Sequence, residues 1–61
     1  MSDYQKFEVT SVCMLRDFLE ERISNKALKA LKKDGDIQVN KVTRTVRHML
    51  EVGDIVELYY P

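Results

Sequence analysis

The chain has one cysteine, one proline, two glycines and no tryptophan among its 61 residues. With Cys13 alone, no disulfide can form within the chain, so a disulfide scaffold is excluded and a reducing compartment is expected. Cys13 and His48 together are too few for a metal site, which needs about four ligands. Neither a metal nor a cofactor is expected. No apolar run approaches the roughly 18 residues that a membrane span needs. The polar start, Met1-Ser2-Asp3-Tyr4-Gln5-Lys6, lacks the apolar core of a signal peptide. The expectation is a cytoplasmic protein with no membrane partner.

Linkers and repeats are also missing. Gly35, Gly53 and Pro61 are the only strong breakers. The length allows one domain, which buries only about 60% of the surface its unfolded chain exposes. Such a core rarely supplies more than roughly 3–5 kcal/mol. Little stability is left to offset a strained, desolvated active site, so size favours binding over catalysis.

Net charge is absent too: ten Lys and Arg balance ten Asp and Glu. The distribution is uneven. Residues 1–21 carry five acids and two bases. Residues 22–48 carry Arg22, Lys26, Lys29, Lys32, Lys33, Lys41, Arg44 and Arg47 against Asp34 and Asp36 alone. The last thirteen residues carry three acids and no base. A basic block inside a neutral chain makes a local field that the total conceals.

Hydrophobic spacing predicts the elements. Residues 6–12, with Phe7 and Val9 on one side, read as a short strand. From Cys13 to Arg22, Met14, Leu15, Phe18 and Leu19 recur at helical spacing, with Ser11 as a candidate cap. Ser24 precedes a second helix, Asn25 to Lys33, which Asp34-Gly35 ends through a left-handed glycine cap. Ile37 and Val39 alternate as a strand, and Asn40-Lys41 reads as a tight turn. Residues 43–50 are ambiguous: Val46, Met49 and Leu50 also fit a short helical turn. Residues 51–54 read as a turn. Ile55 to Tyr60 is a strand with Val56, Leu58 and Tyr60 on one face and Glu57 and Tyr59 on the other. The predicted fold class is α+β, with two packed helices against a small, mainly antiparallel sheet.

On a helical wheel at about 100° per residue, Ala27, Leu31 and Leu28 form one apolar stripe. Lys29, Lys33 and Lys26 fall on the opposite arc, and Lys32 flanks it. Like charges at this spacing cost an isolated helix a few tenths of a kcal/mol per pair. A cluster kept against that cost is consistent with a polyanionic partner.

Several runs resemble one family: Leu15-Arg16-Asp17-Phe18-Leu19, Ile23-Ser24-Asn25-Lys26, Leu28-Lys29-Ala30-Leu31-Lys32, Gly35-Asp36-Ile37-Gln38-Val39-Asn40 and Gly53-Asp54-Ile55-Val56. Their series is similar to the RNA-binding domain named after ribosomal small-subunit protein four, the alpha-L motif. Lys6-Phe7-Glu8-Val9 and Tyr59-Tyr60-Pro61 extend the likeness to the N-terminal domain of bacterial large-subunit-type pseudouridine synthases. The resemblance implies the alpha-L fold, with residues 1–12 as an N-terminal strand extension and 13–60 as the core motif. It also implies a module that holds structured, ribosomal RNA for a catalytic domain following Pro61. That enzyme would be an RNA isomerase whose catalytic residues lie outside this chain. Carried over by position, the RNA-binding residues are Ser24, Asn25, Lys26, Lys29, Lys32 and Lys33, with Lys41 and Arg44; the charge block adds Arg22. The family's usual Asn-Gly turn is Asn40-Lys41 here, and its Ser-Arg is Ser24-Asn25.

Other chemistry is poorly supported. The spacing of Cys13 and His48 gives no nucleophile and base with an orienting third group. Asp17, Glu20 and Glu21 read as a solvated helix face. Gly53-Asp54 lacks the glycine spacing of a phosphate loop. Two other readings stay open beside the favoured one: a stand-alone ribosome-associated RNA-binding protein, and a protein-interaction module using a strand edge or the tyrosine-bearing end.

Overall fold

A computed structural model describes residues 3–61; Met1 and Ser2, part of the polar start read above, lie outside the described residues. Its elements are β1 (Tyr4–Glu8), β2 (Cys13–Met14), α1 (Leu15–Glu20), α2 (Asn25–Lys33), β3 (Asp36–Val39), β4 (Val42–Thr43), β5 (Met49–Leu50) and β6 (Ile55–Tyr59). They form an antiparallel four-stranded sheet in the order β1-β6-β3-β4 and a separate antiparallel ribbon of β2 and β5.

This corrects the expected fold. Two helices packed against one small sheet, in the alpha-L arrangement, is not what forms. Strand accounts for about 34% and helix for about 25%. The mixture is only loosely consistent with an α+β class. The helices are short, and strands outnumber them in two sheets rather than one. The reason lies at the two ends of the chain. Residues 4–8 pair residue for residue with β6, from Tyr4 opposite Tyr59 to Glu8 opposite Ile55. Such a ladder satisfies backbone groups that a loose extension would leave to water.

The first helix is corrected too. Cys13 and Met14, predicted as its first residues, are instead a strand opposite Leu50 and Met49. Ser11 does not cap the helix. Its cap position is Met14, which makes no side-chain cap bond. The N–H groups of Leu15 and Arg16 donate instead to the carbonyls of His48 (2.8 Å) and Val46 (2.9 Å). Free N–H groups at a helix start need acceptors, and a returning backbone supplies them as well as a side chain does. The same pairing makes Met49–Leu50 a strand rather than the helical turn its spacing also allowed.

Helix α2 follows its sequence signals. Ser24 Oγ accepts the Ala27 N–H at 3.1 Å, and Leu28 and Leu31 are buried. Gly35 ends it for a reason other than a left-handed cap. Its φ is not positive, and Gly53 is the one positive-φ glycine among the described residues. A Cβ on Gly35 would lie 2.5 Å from the Tyr59 carbonyl oxygen and 3.0 Å from Leu31 Cα. Glycine is needed there so that α2 can reach β6.

The inner face of the sheet carries Ile37, Val39, Val56 and Leu58, closed over by Leu15, Phe18 and Leu19 of α1, Leu28 and Leu31 of α2, and Val9 and Leu50. Phe7 meets Phe18 edge to face, with ring centroids 6.0 Å apart. No helix among the described residues is long and apolar enough to cross a membrane. Gly35→Ala should therefore destabilise the fold by about 1–3 kcal/mol through overpacking. Urea denaturation measures this, and an unchanged midpoint would contradict the close approach of α2 to β6.

Candidate functional site

The basic block folds onto α2 and the segment after β3, but its members meet different fates. Ser24 is the cap of α2, so its oxygen is already accepting. Arg22 is held against the protein. Its guanidinium lies 3.7 Å from the Phe18 ring centroid, donates to the Phe18 carbonyl at 3.0 Å and approaches Glu21 at 3.6 Å. Lys41 is turned onto Glu57. Lys26, Lys29, Lys32, Lys33, Arg44 and Arg47 are exposed and form no ion pair among the described residues.

Two shallow grooves select among these. Asn25, Lys29 and Lys32 line one with Arg16, Glu20 and Leu28, where α1 faces α2. Lys32 and Arg44 line the next with Gly35, Asp36, Ile37, Thr43 and Thr45, among others. Lys32 belongs to both. The fold thus brings together Asn25, Lys29, Lys32 and Arg44, and it adds Arg16. Lys26 and Lys33 line neither groove. The wheel had centred the basic face on Lys26, Lys29 and Lys33. A wheel shows which residues oppose the core of one helix, and it is blind to the neighbouring elements that build a groove.

Arg16 and Thr45 entered no charge cluster in the sequence. Arg16 sits two residues past β2, outside the basic block, and reaches the groove because α1 starts where the ribbon ends. Its charge is partly met by Glu20, with Nε 3.1 Å from Oε1. An exposed pair of this kind contributes only about 0.3–0.5 kcal/mol and is easily exchanged for another anion.

On the outer face of the sheet lies a second polar cluster that no spacing rule marked. Glu57 is the one buried charged side chain among the described residues, 2% exposed. Its Oε2 accepts from Tyr4 Oη (2.6 Å), Lys41 Nζ (3.1 Å) and Tyr59 Oη (3.2 Å). Lys41 Nζ also lies 2.9 Å from Oε1, within ion-pair reach but without hydrogen-bond geometry, so Oε1 has charge contact alone. The Tyr4 hydroxyl, then the Lys41 ammonium, hold the Glu57 carboxyl down at about 2, against the opposing push of burial. The same bond raises Tyr4 to about 12. Burying a lone carboxylate is expensive, and three donors offset the cost.

Lys41 reaches Glu57 from a strained position. Asn40 and Lys41 have φ of 53° and 69°, both in the left-handed region. A two-residue hairpin requires that, and glycine would take it with less cost. The turn is nonetheless the tight one predicted for Asn40-Lys41. Asn40 is braced by Asp54, its Nδ2 donating to Oδ1 at 3.0 Å, and by the Ile55 N–H, which donates to its Oδ1 at 3.0 Å. Asp54 in turn accepts the Glu51 N–H at 2.9 Å, which holds its carboxyl below the ordinary range. Gly53-Asp54 therefore serves a turn.

The remaining candidates stay apart. Cys13 packs against the core and makes no hydrogen bond with His48 among the described residues. No group of three or more His, Cys, Asp or Glu among the described residues is arranged to hold a metal ion. Tyr60 packs against the core, while Tyr59 lies on the outer face with Tyr4, ring centroids 5.2 Å apart. Comparison with known protein families, with curated proteins and with solved structures gave no match.

The Glu57 cluster makes stability depend on pH at both ends. The folded carboxyl titrates at about 2, below its ordinary 4.5, so its contribution is present above pH 4.5 and is lost as pH falls toward 2. Tyr4 titrates at about 12, above its ordinary 10.0, so its contribution is present below pH 10 and is lost as pH rises toward 12. Melting temperature measured against pH should show the acid loss, and Glu57→Gln should flatten that limb. An unchanged slope in the variant would assign the acid sensitivity elsewhere.

Proposed function

We propose that this chain is an RNA-binding module that contacts structured RNA, ribosomal RNA in the first instance, through the basic groove from Arg16 past Lys29 and Lys32 to Arg44. The observation that carries this reading is the row of exposed cations along two adjoining grooves: Lys29, Lys32 and Arg44 form no ion pair among the described residues, and Arg16 is held only by the exposed Glu20. Duplex RNA hides its base edges in a narrow major groove, so proteins follow its shape and phosphates. Flexible lysines along a shallow groove suit a phosphate ridge and read little sequence. The sequence resemblance to the N-terminal RNA-binding domain of bacterial pseudouridine synthases supports the same reading. On that resemblance the chain serves a catalytic domain of an RNA isomerase in the cytoplasm. A stand-alone ribosome-associated protein would use the same groove.

One observation favours a second reading, a protein partner. Val12, Met14, Met49 and Val52 are exposed along and beside the β2–β5 ribbon, and Met14 lies directly opposite Met49. A cluster of exposed apolar side chains is a common mark of a protein contact. Shift mapping by nuclear magnetic resonance separates the two. RNA perturbing Lys29, Lys32 and Arg44 supports the first, and silence there with a protein perturbing Met14 and Met49 supports the second.

Titration with a structured RNA at several salt concentrations tests the groove itself. Affinity should fall with salt at a log–log slope of about −0.7 to −0.9 per phosphate neutralised. Replacing Lys29, Lys32 and Arg44 by Gln should reduce that slope by about 2–3 and weaken binding at least tenfold. Replacing Lys26 and Lys33 should cost much less. Equal losses from the two sets would refute the groove, and no binding at low salt would refute the function.

A further inference from the structure

We propose that β1 is a homodimer edge, pairing antiparallel with β1 of a second copy of this chain about Phe7. The sheet has two edges. The β4 edge is two residues long, too short to template another strand. The β1 edge is five residues long, and nothing among the described residues covers it.

Backbone geometry fixes which groups that edge offers. Asp3 and Val9 bond toward the β6 side: the Tyr60 N–H donates to Asp3 O at 2.9 Å and the Val9 N–H to Asp54 O at 2.8 Å. Strand groups alternate in direction, so the N–H and C=O of Tyr4, Lys6 and Glu8 point away from the sheet. Two copies related by a two-fold axis must match these outward groups with each other. Centring on Lys6 would place lysine against lysine. Centring on Phe7 places Lys6 opposite Glu8 of the second copy, and Glu8 opposite its Lys6.

That register is self-complementary on every count available. Lys6 and Glu8 are exposed and form no ion pair among the described residues, so both charges can be answered by a second copy. The two matched pairs exchange about four backbone hydrogen bonds. The two Phe7 side chains meet at the axis on the inner face, where each is already half-buried against Phe18. An edge lysine ordinarily blocks association because a copy would bury it unpaired. Here the glutamate two residues on removes that penalty in one register alone. The interface is small, so the dimer is weak and depends on concentration.

Sedimentation from micromolar to millimolar protein reads the association directly. Wild type should shift from monomer toward dimer, and isotope-filtered spectra of mixed labelled and unlabelled chains should show Phe7-to-Phe7 contacts. Glu8→Lys should raise the dissociation constant roughly tenfold by opposing like charges in both pairs. Glu8 lies opposite Ile55, so this change leaves the Glu57 cluster intact. Lys6→Glu should weaken association likewise, with a lowered melting temperature as well, because Lys6 lies opposite the buried Glu57. The double reversal, Lys6→Glu with Glu8→Lys, should restore it, and the two single variants mixed should associate with each other. A monomer at millimolar concentration overturns the proposal, as does a dimer indifferent to these charges. RNA affinity per chain should be unchanged throughout, since neither residue lines the basic groove.

Discussion

Strand β6 must be flanked on both sides before the sheet exists. It is the last element of the chain, yet it lies between β1, the first, and β3. Every long-range pairing of the larger sheet except the β3–β4 hairpin runs through residues 55–59. A strand in that position cannot keep an unpaired charge. Glu57 sits at its centre, opposite both Lys6 and Gln38, and is 2% exposed. Its carboxylate survives because the first strand contributes Tyr4, the hairpin turn contributes Lys41 and β6 itself contributes Tyr59. Those contributions tie the two ends of the chain and its tightest turn to one group.

The turn at Asn40-Lys41 shows what this demands. Two successive residues with positive φ cost about 1–2 kcal/mol each for ordinary side chains, although asparagine tolerates the conformation better. Glycine at position 41 would relax the turn and lose the ammonium that neutralises Glu57. Removing one partner from a buried charge is more damaging than a strained turn. Lysine is therefore better understood there as the counter-ion of the sheet than as part of a phosphate-contacting surface.

Neutralising Glu57 also sorts the cations of the domain. Lys41 and Arg22 are engaged at the surface by the chain itself, on a carboxylate and on an aromatic ring. Those on α2 and at Arg44 are left to solvent. A chain of zero net charge thus presents a basic groove while some of its acids are engaged in hydrogen bonds of the turn and the β3–β4 hairpin: Asp54 braces Asn40, and Asp36 accepts from Thr43 and Gln38. The proposed RNA contact and the proposed β1 edge draw on separate residues, so RNA binding and self-association can be gained or lost independently.

Helix α2, the β3 strand, the tight turn and the β6 strand were legible because each rests on local chemistry: a serine cap, alternating apolar residues, a two-residue hairpin. The lysine-rich helix was legible for the same reason. The arrangement was not. Cys13 and Met14 carry a helical pattern but are drawn into a ribbon with Met49 and Leu50, because pairing with distant backbone outweighs a weak local preference. Gly35 was recognised as a helix end, while its actual role is to make room for the Tyr59 carbonyl, and distance between elements has no signature in a string of residues. The groove from Arg16 to Arg44 and the burial of Glu57 belong to the same class. Residue type settled how much charge this protein carries and which helix bears most of it. Which charges are spent and which are free depended on long-range pairing, because a side chain's partners are set by the elements that fold against it.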